Sequence, residues 1–246
     1  MDAPRPRICV QPDLDAVCRA AAEAVASLAT AAAEPRGRFV IALCGGKTAP
    51  QLYRLLAEEY RERIPWEAWH VFWSDERYVP PESEQSNYGV AKRALLDRVP
   101  IPREQVHPMP TLLPSPGETA EAYEEELMLQ FSTQLPRFDL MIMGMGAEGH
   151  TASIFPHSPV LAEEYQARLV VPVEVPVEPP LRLTMTLPVF NNAENLFFLV
   201  CGAEKHDALG RAVTGPVNAD ECPASAIRPI NGTVLWWVEE AAFTGR

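Results

Sequence analysis

Positive charge is scarce in this chain. It carries 33 acidic side chains against 21 basic ones, a formal net charge of −12. A nucleic-acid-binding protein is expected to show net positive charge or a dense basic stripe. Neither is present, so no nucleic-acid partner is expected. Cysteine is sparse as well: Cys9, Cys18, Cys44, Cys201 and Cys222 are scattered, odd in number, and form no C-x-x-C pair. That argues against a disulfide framework and against structural zinc. Free thiols of a reducing compartment are the simpler reading. No histidine or cysteine group has zinc-ligand spacing, so neither a metal nor another cofactor is expected. His70, His107, His157 and His206 read as surface or internally satisfied residues.

Long apolar runs are also missing. The N-terminal M-D-A-P-R-P-R has no apolar segment of signal-peptide type. No stretch reads as long and apolar enough to span a bilayer. The Ala-rich run from Ala16 to Ala33 is interrupted by Arg19 and Glu23, and reads as a helix. No membrane partner is therefore expected. There is no internal repeat and no low-complexity linker. One domain over residues 1–246 is the expectation, and a monomer.

What is present is a globular composition, 47% apolar and 22% charged, in a chain long enough to bury a sizeable core. Short apolar runs alternate with helical patterns. Asp13 to Ala33 reads as a helix with Asp13 as N-cap and Pro35-Arg36-Gly37 as its stop. Phe39 to Cys44 is a continuous apolar run, as expected of a strand buried on both faces. Thr48 to Tyr60 reads as a helix, with Thr48 and Gln51 at capping-box spacing. Further strands are expected at Trp69 to Ser74, Phe138 to Met145, Arg182 to Thr186, Leu196 to Cys201 and Val234 to Val238. Helices are expected after Ser86, over Glu118 to Leu135, and over Ala203 to Val213. The Pro-rich Pro100 to Pro116 reads as a surface connection, and Val171 to Pro180 as a loop or edge segment. This alternation implies an α/β fold: a doubly wound, mostly parallel, Rossmann-like sheet flanked by helices on both faces.

Such sheets bind ligands beyond the carboxyl ends of their strands. Three polar clusters fall there. Gly45-Gly46-Lys47-Thr48 joins a strand to a helix start. It is consistent with a tight turn and equally with a phosphate cradle, since helix N-termini attract anions. Asp75-Glu76-Arg77 follows the next strand. It is either a solvated loop or a site where Arg77 grips phosphate or carboxylate while Asp75 takes sugar hydroxyls or orients a partner. Asn87 is placed to bond hydroxyls, or its neighbour Ser86 simply caps a helix. The third cluster, Gly144 to His150, is the sharpest signal. His150 in a Gly-rich loop at a strand end suits a general base, with Glu148 orienting its ring. Neither Ser74 nor Ser153 lies in a G-x-S-x-G elbow, which disfavours a serine nucleophile.

Six segments in order carry a family resemblance: C-G-G-K-T-A-P-Q-L-Y-R-L-L, W-S-D-E-R-Y-V-P, S-N-Y, G-M-G-A-E-G-H-T-A-S-I-F-P, R-L-T-M-T-L-P and V-C-G-A-E-K. Together they resemble the glucosamine-6-phosphate isomerase/6-phosphogluconolactonase family over roughly Phe39 to Val238. The resemblance implies a cytoplasmic hydrolase of a phosphorylated sugar lactone, with His150 as general base. It also implies substrate binding by Gly45, Gly46, Lys47, Thr48, Arg77 and Lys205, and brings in Asn87 and Arg182 as motif positions. The chain departs from the pattern at Cys44 and Lys47, where serine is common, and at Ala49-Pro50. At Glu148 aspartate is usual. An amino-sugar phosphate deaminase is the enzymatic rival. The D-E-R and H-T-A-S-I-F-P texts favour the lactonase side over the rival's D-E-Y and G-H-I-A-F-N. A non-catalytic sugar-phosphate sensor is the other alternative, although no basic helix-turn-helix stretch accompanies it.

Overall fold

The computed structural model describes residues 7–133, 135–229 and 231–246. Residues 1–6 of the N-terminal run lie outside them. A six-stranded, all-parallel sheet forms the centre. Its strands are β1 (Arg7–Gln11), β2 (Phe39–Leu43), β3 (Trp69–Trp73), β5 (Leu140–Gly144), β8 (Asn195–Val200) and β9 (Thr233–Glu239), in the order β1-β9-β8-β5-β2-β3. A second, antiparallel sheet has the order β4-β7-β6, from β4 (Asp75–Arg77), β6 (Val170–Glu174) and β7 (Leu181–Met185).

The expected apolar runs became the central strands because both of their faces are covered. Along β2, Phe39, Ile41 and Leu43 join one core while Val40 and Ala42 join the other. On the first face lie α1 (Leu14–Arg36) and α2 (Ala49–Glu59), through Val17, Ala21, Val25, Leu52 and Leu56. The opposite face takes α4 (Pro116–Phe131) and α6 (His206–Val213), through Tyr123, Leu127, Ala208 and Leu209. The small sheet packs there too, with Val171, Leu183 and Met185. Trp236 stacks on Phe198 at 4.0 Å between ring centroids and is buried in the core.

Asp13 caps α1, its Oδ1 accepting from Ala16 N at 2.8 Å, and the Gly37 N–H closes the helix on Ala33 O. Contrary to expectation, α1 is long and apolar enough to cross a membrane by length and composition alone, with a mean hydropathy of 1.3. Its alanines raise that mean. Its apolar face instead lies buried against the sheet, while Arg19 and Glu23 on the outer face pair with Glu59 and Arg63.

Four further expectations are corrected. Thr48 stands at the N-cap position of α2 but its side chain makes no capping hydrogen bond: its backbone already has helical angles, and its carbonyl accepts from Gln51 N. The Pro-rich connection is not merely surface, because Ile101, His107 and Met109 are buried and Val106 bridges Val71 of edge strand β3. Arg182 to Met185 does not enter the central sheet but pairs antiparallel with Asp75 to Arg77. The helix expected over Glu118 to Leu135 begins at Pro116 and ends at Phe131, followed by Ser132 in a left-handed conformation. Ser115 caps it by accepting from Glu118 N.

Candidate active site

The strand order reverses beside β2: the chain steps from β2 to β3 on one side, then to β5 on the other. A crevice opens at the carboxyl end of a parallel sheet at such a point. Here it is a cleft of about 290 Å³. The turns after β2, β3, β5 and β8 bring Gly45 to Thr48, Asp75 and Arg77, Gly144 to Gly146 with His150, and Lys205 to one wall or another. Asn87 and Arg182 line it as well. Of the residues singled out in the sequence, only Glu148 stands behind the lining, and it reaches the cleft through His150.

The loop after β2 is held from below. The Tyr53 hydroxyl of α2 accepts from Cys44 N at 3.0 Å and donates to Cys44 O at 2.8 Å. Burial pushes the Cys44 thiol up to about 12, so it is a packing group and no nucleophile. Gly45 is required by Asn87: a Cβ there would lie 1.9 Å from Asn87 Oδ1. The Asn87 amide donates to Asp75 O at 2.8 Å. Its buried Oδ1 has no hydrogen-bond partner. The α2 N-terminus opens onto this loop, with unpaired N–H groups and a positive dipole end.

The turn after β3 is organised by Glu76, which is 2% exposed. Its carboxylate accepts from Arg77 N, Asn87 N and Tyr88 N, each at 2.7 Å, and from Ser86 Oγ at 3.1 Å. It thereby closes the start of the short helix α3 (Asn87–Ala91), and Ser86 also caps that helix by accepting from Gly89 N. Burial pushes the Glu76 carboxyl up to about 7, against the opposing pull of the three backbone N–H groups. Asp75 lines the cleft and is 5% exposed. Its Oδ2 accepts from Ser153 Oγ at 2.7 Å, which ties the second polar cluster to the third.

The third cluster forms a dyad. Glu148 Oε1 lies 2.7 Å from His150 Nδ1. That hydrogen bond holds the Glu148 carboxyl below its usual range. An ionised Glu148 accepts, so Nδ1 carries the proton and Nε2 is left as the basic nitrogen. The His150 ring stacks on Phe155 at 4.1 Å. Gly146 makes room for both partners: a Cβ there would lie 2.2 Å from His150 Nδ1 and 2.4 Å from Glu148 Oε2. The extra methylene of Glu148 is thus accommodated, and the carboxylate meets the imidazole at full hydrogen-bond contact.

Lys47, Arg77, Arg182 and Lys205 all face the cleft, and among the described residues none forms a salt bridge. Arg77 and Arg182 sit directly opposite each other on β4 and β7, a like-charge pairing that is unfavourable without an anion. Burial lowers Arg182 from its usual range, and the neighbouring Arg77 adds to this. Burial likewise lowers Lys205, with Lys47 contributing. Arg77 Nε is buried without a partner, while its Nη1 donates to Gln85 O. In a protein of net charge −12, such a concentration of unpaired cations favours a multiply charged anion.

Outside the cleft, ligand atoms of the exposed His157, Asp220 and Glu221 lie within 4.8 Å of one another. Loops far apart in sequence bring them together, so spacing gave no sign of the group. Sequence reasoning also passed over Tyr53, Glu76, Ser153 and Arg211, whose guanidinium donates to Glu148 O at 2.8 Å.

Comparison with known proteins shows the family. Residues 12–236 match the family model described as glucosamine-6-phosphate isomerases/6-phosphogluconolactonase. A 6-phosphogluconolactonase of Synechocystis sp. is 42% identical over 87% of each chain. One of Nostoc sp. is 37% identical over 95% of each. Among solved structures, the 6-phosphogluconolactonase from Trypanosoma cruzi superposes with a TM-score of 0.85 at 27% identity, covering 98% of both chains. The chain belongs to the glucosamine-6-phosphate isomerase/6-phosphogluconolactonase family.

Proposed function

We propose that this chain, as one α/β domain over residues 1–246, hydrolyses 6-phospho-D-glucono-1,5-lactone to 6-phospho-D-gluconate, the lactone-opening step of the oxidative pentose phosphate pathway. The observation that carries the reading is the Glu148–His150 dyad on a cleft lined by four unpaired cations. The substrate phosphate anchors on the Gly45 to Thr48 loop at the α2 N-terminus, with Lys47 and Lys205 as cations. Binding energy gathered there positions the lactone carbon at the other end of the cleft. His150 Nε2 takes a proton from water, and the oxygen attacks the lactone carbonyl. The imidazolium then returns its proton to the departing ring oxygen. The products are a hydroxyl group and a carboxylic acid, which releases its proton to solvent to give the carboxylate, with no covalent enzyme intermediate.

The amides of Gly146 and Gly149 already donate to His150 O and Gly146 O within the loop. Stabilisation of the oxyanion therefore falls to Arg77, whose guanidinium has unused donor capacity. Asp75, held by Ser153, takes the sugar hydroxyls. No metal or cofactor takes part in this scheme. We infer that the chain acts as a monomer, and the location we infer is the cytoplasm.

The test is to generate the lactone in situ and follow ring opening above the spontaneous rate, with glucosamine 6-phosphate offered in parallel. Accelerated ring opening without ammonia release is expected. Ammonia release from the amino sugar, with no effect on the lactone, would overturn the reading.

A further inference from the structure

The loop that carries the dyad is glycine-rich, and its conformation is held by its carbonyl groups. Gly144 O accepts from Thr151 Oγ1 at 2.9 Å, and Gly146 O from Gly149 N at 3.1 Å. Gly149 O accepts from Ala224 N, and His150 O from Gly146 N, both at 3.0 Å. Glu148 O alone among these is claimed by a charged side chain, Arg211 Nη2 at 2.8 Å. Arg211 lies on α6, which begins immediately after Lys205. One short segment thus supplies a cation to the cleft and an anchor to the loop opposite.

The anchor falls where the loop needs it. The Glu148 side chain is 45% exposed, and it has one more rotatable bond than aspartate. Glycines flank it at Gly146 and Gly149. Such a carboxylate keeps a 2.7 Å contact with His150 Nδ1 only if its backbone is fixed. Four groups bear on the imidazole from the surrounding elements: Glu148 and the stacked Phe155 directly, and Lys205 and Arg211 through Glu148.

We propose that Arg211 is a positioning residue, holding the Glu148 carbonyl so that the Glu148 carboxylate stays in register with His150. This rests on the lactonase reading for its kinetic consequence but not for its structural one. A hydrogen bond from a charged donor is worth about tenfold or more in an equilibrium.

The experiment compares the unmodified protein with Arg211→Ala, Arg211→Lys, Glu148→Ala and the Arg211→Ala/Glu148→Ala double variant. The NMR resonance of the hydrogen-bonded His150 Nδ1 proton is the first readout. Arg211→Ala is expected to weaken that resonance toward its loss in Glu148→Ala, and Arg211→Lys to restore part of it. In lactone hydrolysis, Arg211→Ala is expected to lose about tenfold in kcat with KM unchanged, and to add no loss in the Glu148→Ala background. A His150 Nδ1 proton resonance unmoved by Arg211→Ala would overturn the inference. So would an equal kcat loss with and without Glu148. If the unmodified protein fails to accelerate lactone opening, the functional reading falls, while the Nδ1 proton resonance still decides the role of Arg211.

Discussion

Gly45→Ala puts a methyl group into space that Asn87 already occupies. The new Cβ would lie 1.9 Å from Asn87 Oδ1, 2.5 Å from Cγ and 3.0 Å from Nδ2. Asn87 is 2% exposed and is held through Nδ2 to Asp75 O, so it has no solvent to swing into. Overpacking of this kind costs about 1–3 kcal/mol, and a strained or broken amide hydrogen bond adds about 1 kcal/mol. A total near 3 kcal/mol lowers the melting temperature of a chain this size by roughly 6–12 °C. The displaced Asn87 also disturbs Asp75 and the phosphate loop, so kcat/KM for the lactone falls with stability. The assay is thermal unfolding of Gly45→Ala, Asn87→Ala and the double variant. Removing the Asn87 amide removes the obstacle, so the double variant is expected to be markedly more stable than the sum of the single losses predicts. A Gly45→Ala protein that melts with the parent would refute the argument, as would strictly additive losses.

Other outcomes follow from the same geometry. Lys205→Ala is expected to raise KM for the phosphorylated lactone at least tenfold, with a smaller effect on the unphosphorylated lactone; equal effects on both would remove Lys205 from the phosphate end. Glu76 has a folded-state pKa raised to about 7 from the usual 4.5. Its contribution to stability is thus full below about pH 4.5 and is lost as pH rises through 7. Urea unfolding of Glu76→Gln against the parent across that window is expected to show the difference growing in the variant's favour with pH. His70 works in the opposite sense: burial lowers it to about 4 from 6.5, so its contribution is full above 6.5 and is lost as pH falls through 4. His70→Gln is accordingly expected to lose less stability than the parent on acidification, and a parallel loss would contradict the assignment.

The parts of the fold legible in the sequence were those written in local pattern. Phe39 to Leu43 and Leu140 to Gly144 are apolar on both faces, and only a central strand uses such a run. The glycines and charges just beyond them line the cleft. The small antiparallel sheet was legible only in part: a strand was expected at Arg182 to Thr186 and a loop or edge segment at Val171 to Pro180, but not the separate sheet they form with Asp75 to Arg77. Asp75 to Arg77 is charged throughout, yet Asp75 and Glu76 are buried. Val170 to Glu174 contains a proline that an edge strand tolerates. The residues overlooked at the site act across long sequence gaps: Ser153 meets Asp75, and Arg211 meets the Glu148 backbone. Pairing of that kind is a product of the assembled sheet and leaves no local signature. The Thr48 cap failed for the opposite reason, since the local signal was present but the tight turn after β2 gives the N-cap Thr48 a helical backbone from which its side chain makes no capping bond.

The central claim is that His150, oriented by Glu148, activates the water that opens the lactone. The direct measurement is enzyme-dependent hydrolysis of 6-phosphogluconolactone by the unmodified protein and by His150→Ala, each checked for folding and for binding of 6-phosphogluconate. Acceleration that disappears in His150→Ala while product binding persists is the predicted result. Acceleration that survives the loss of His150 would contradict it.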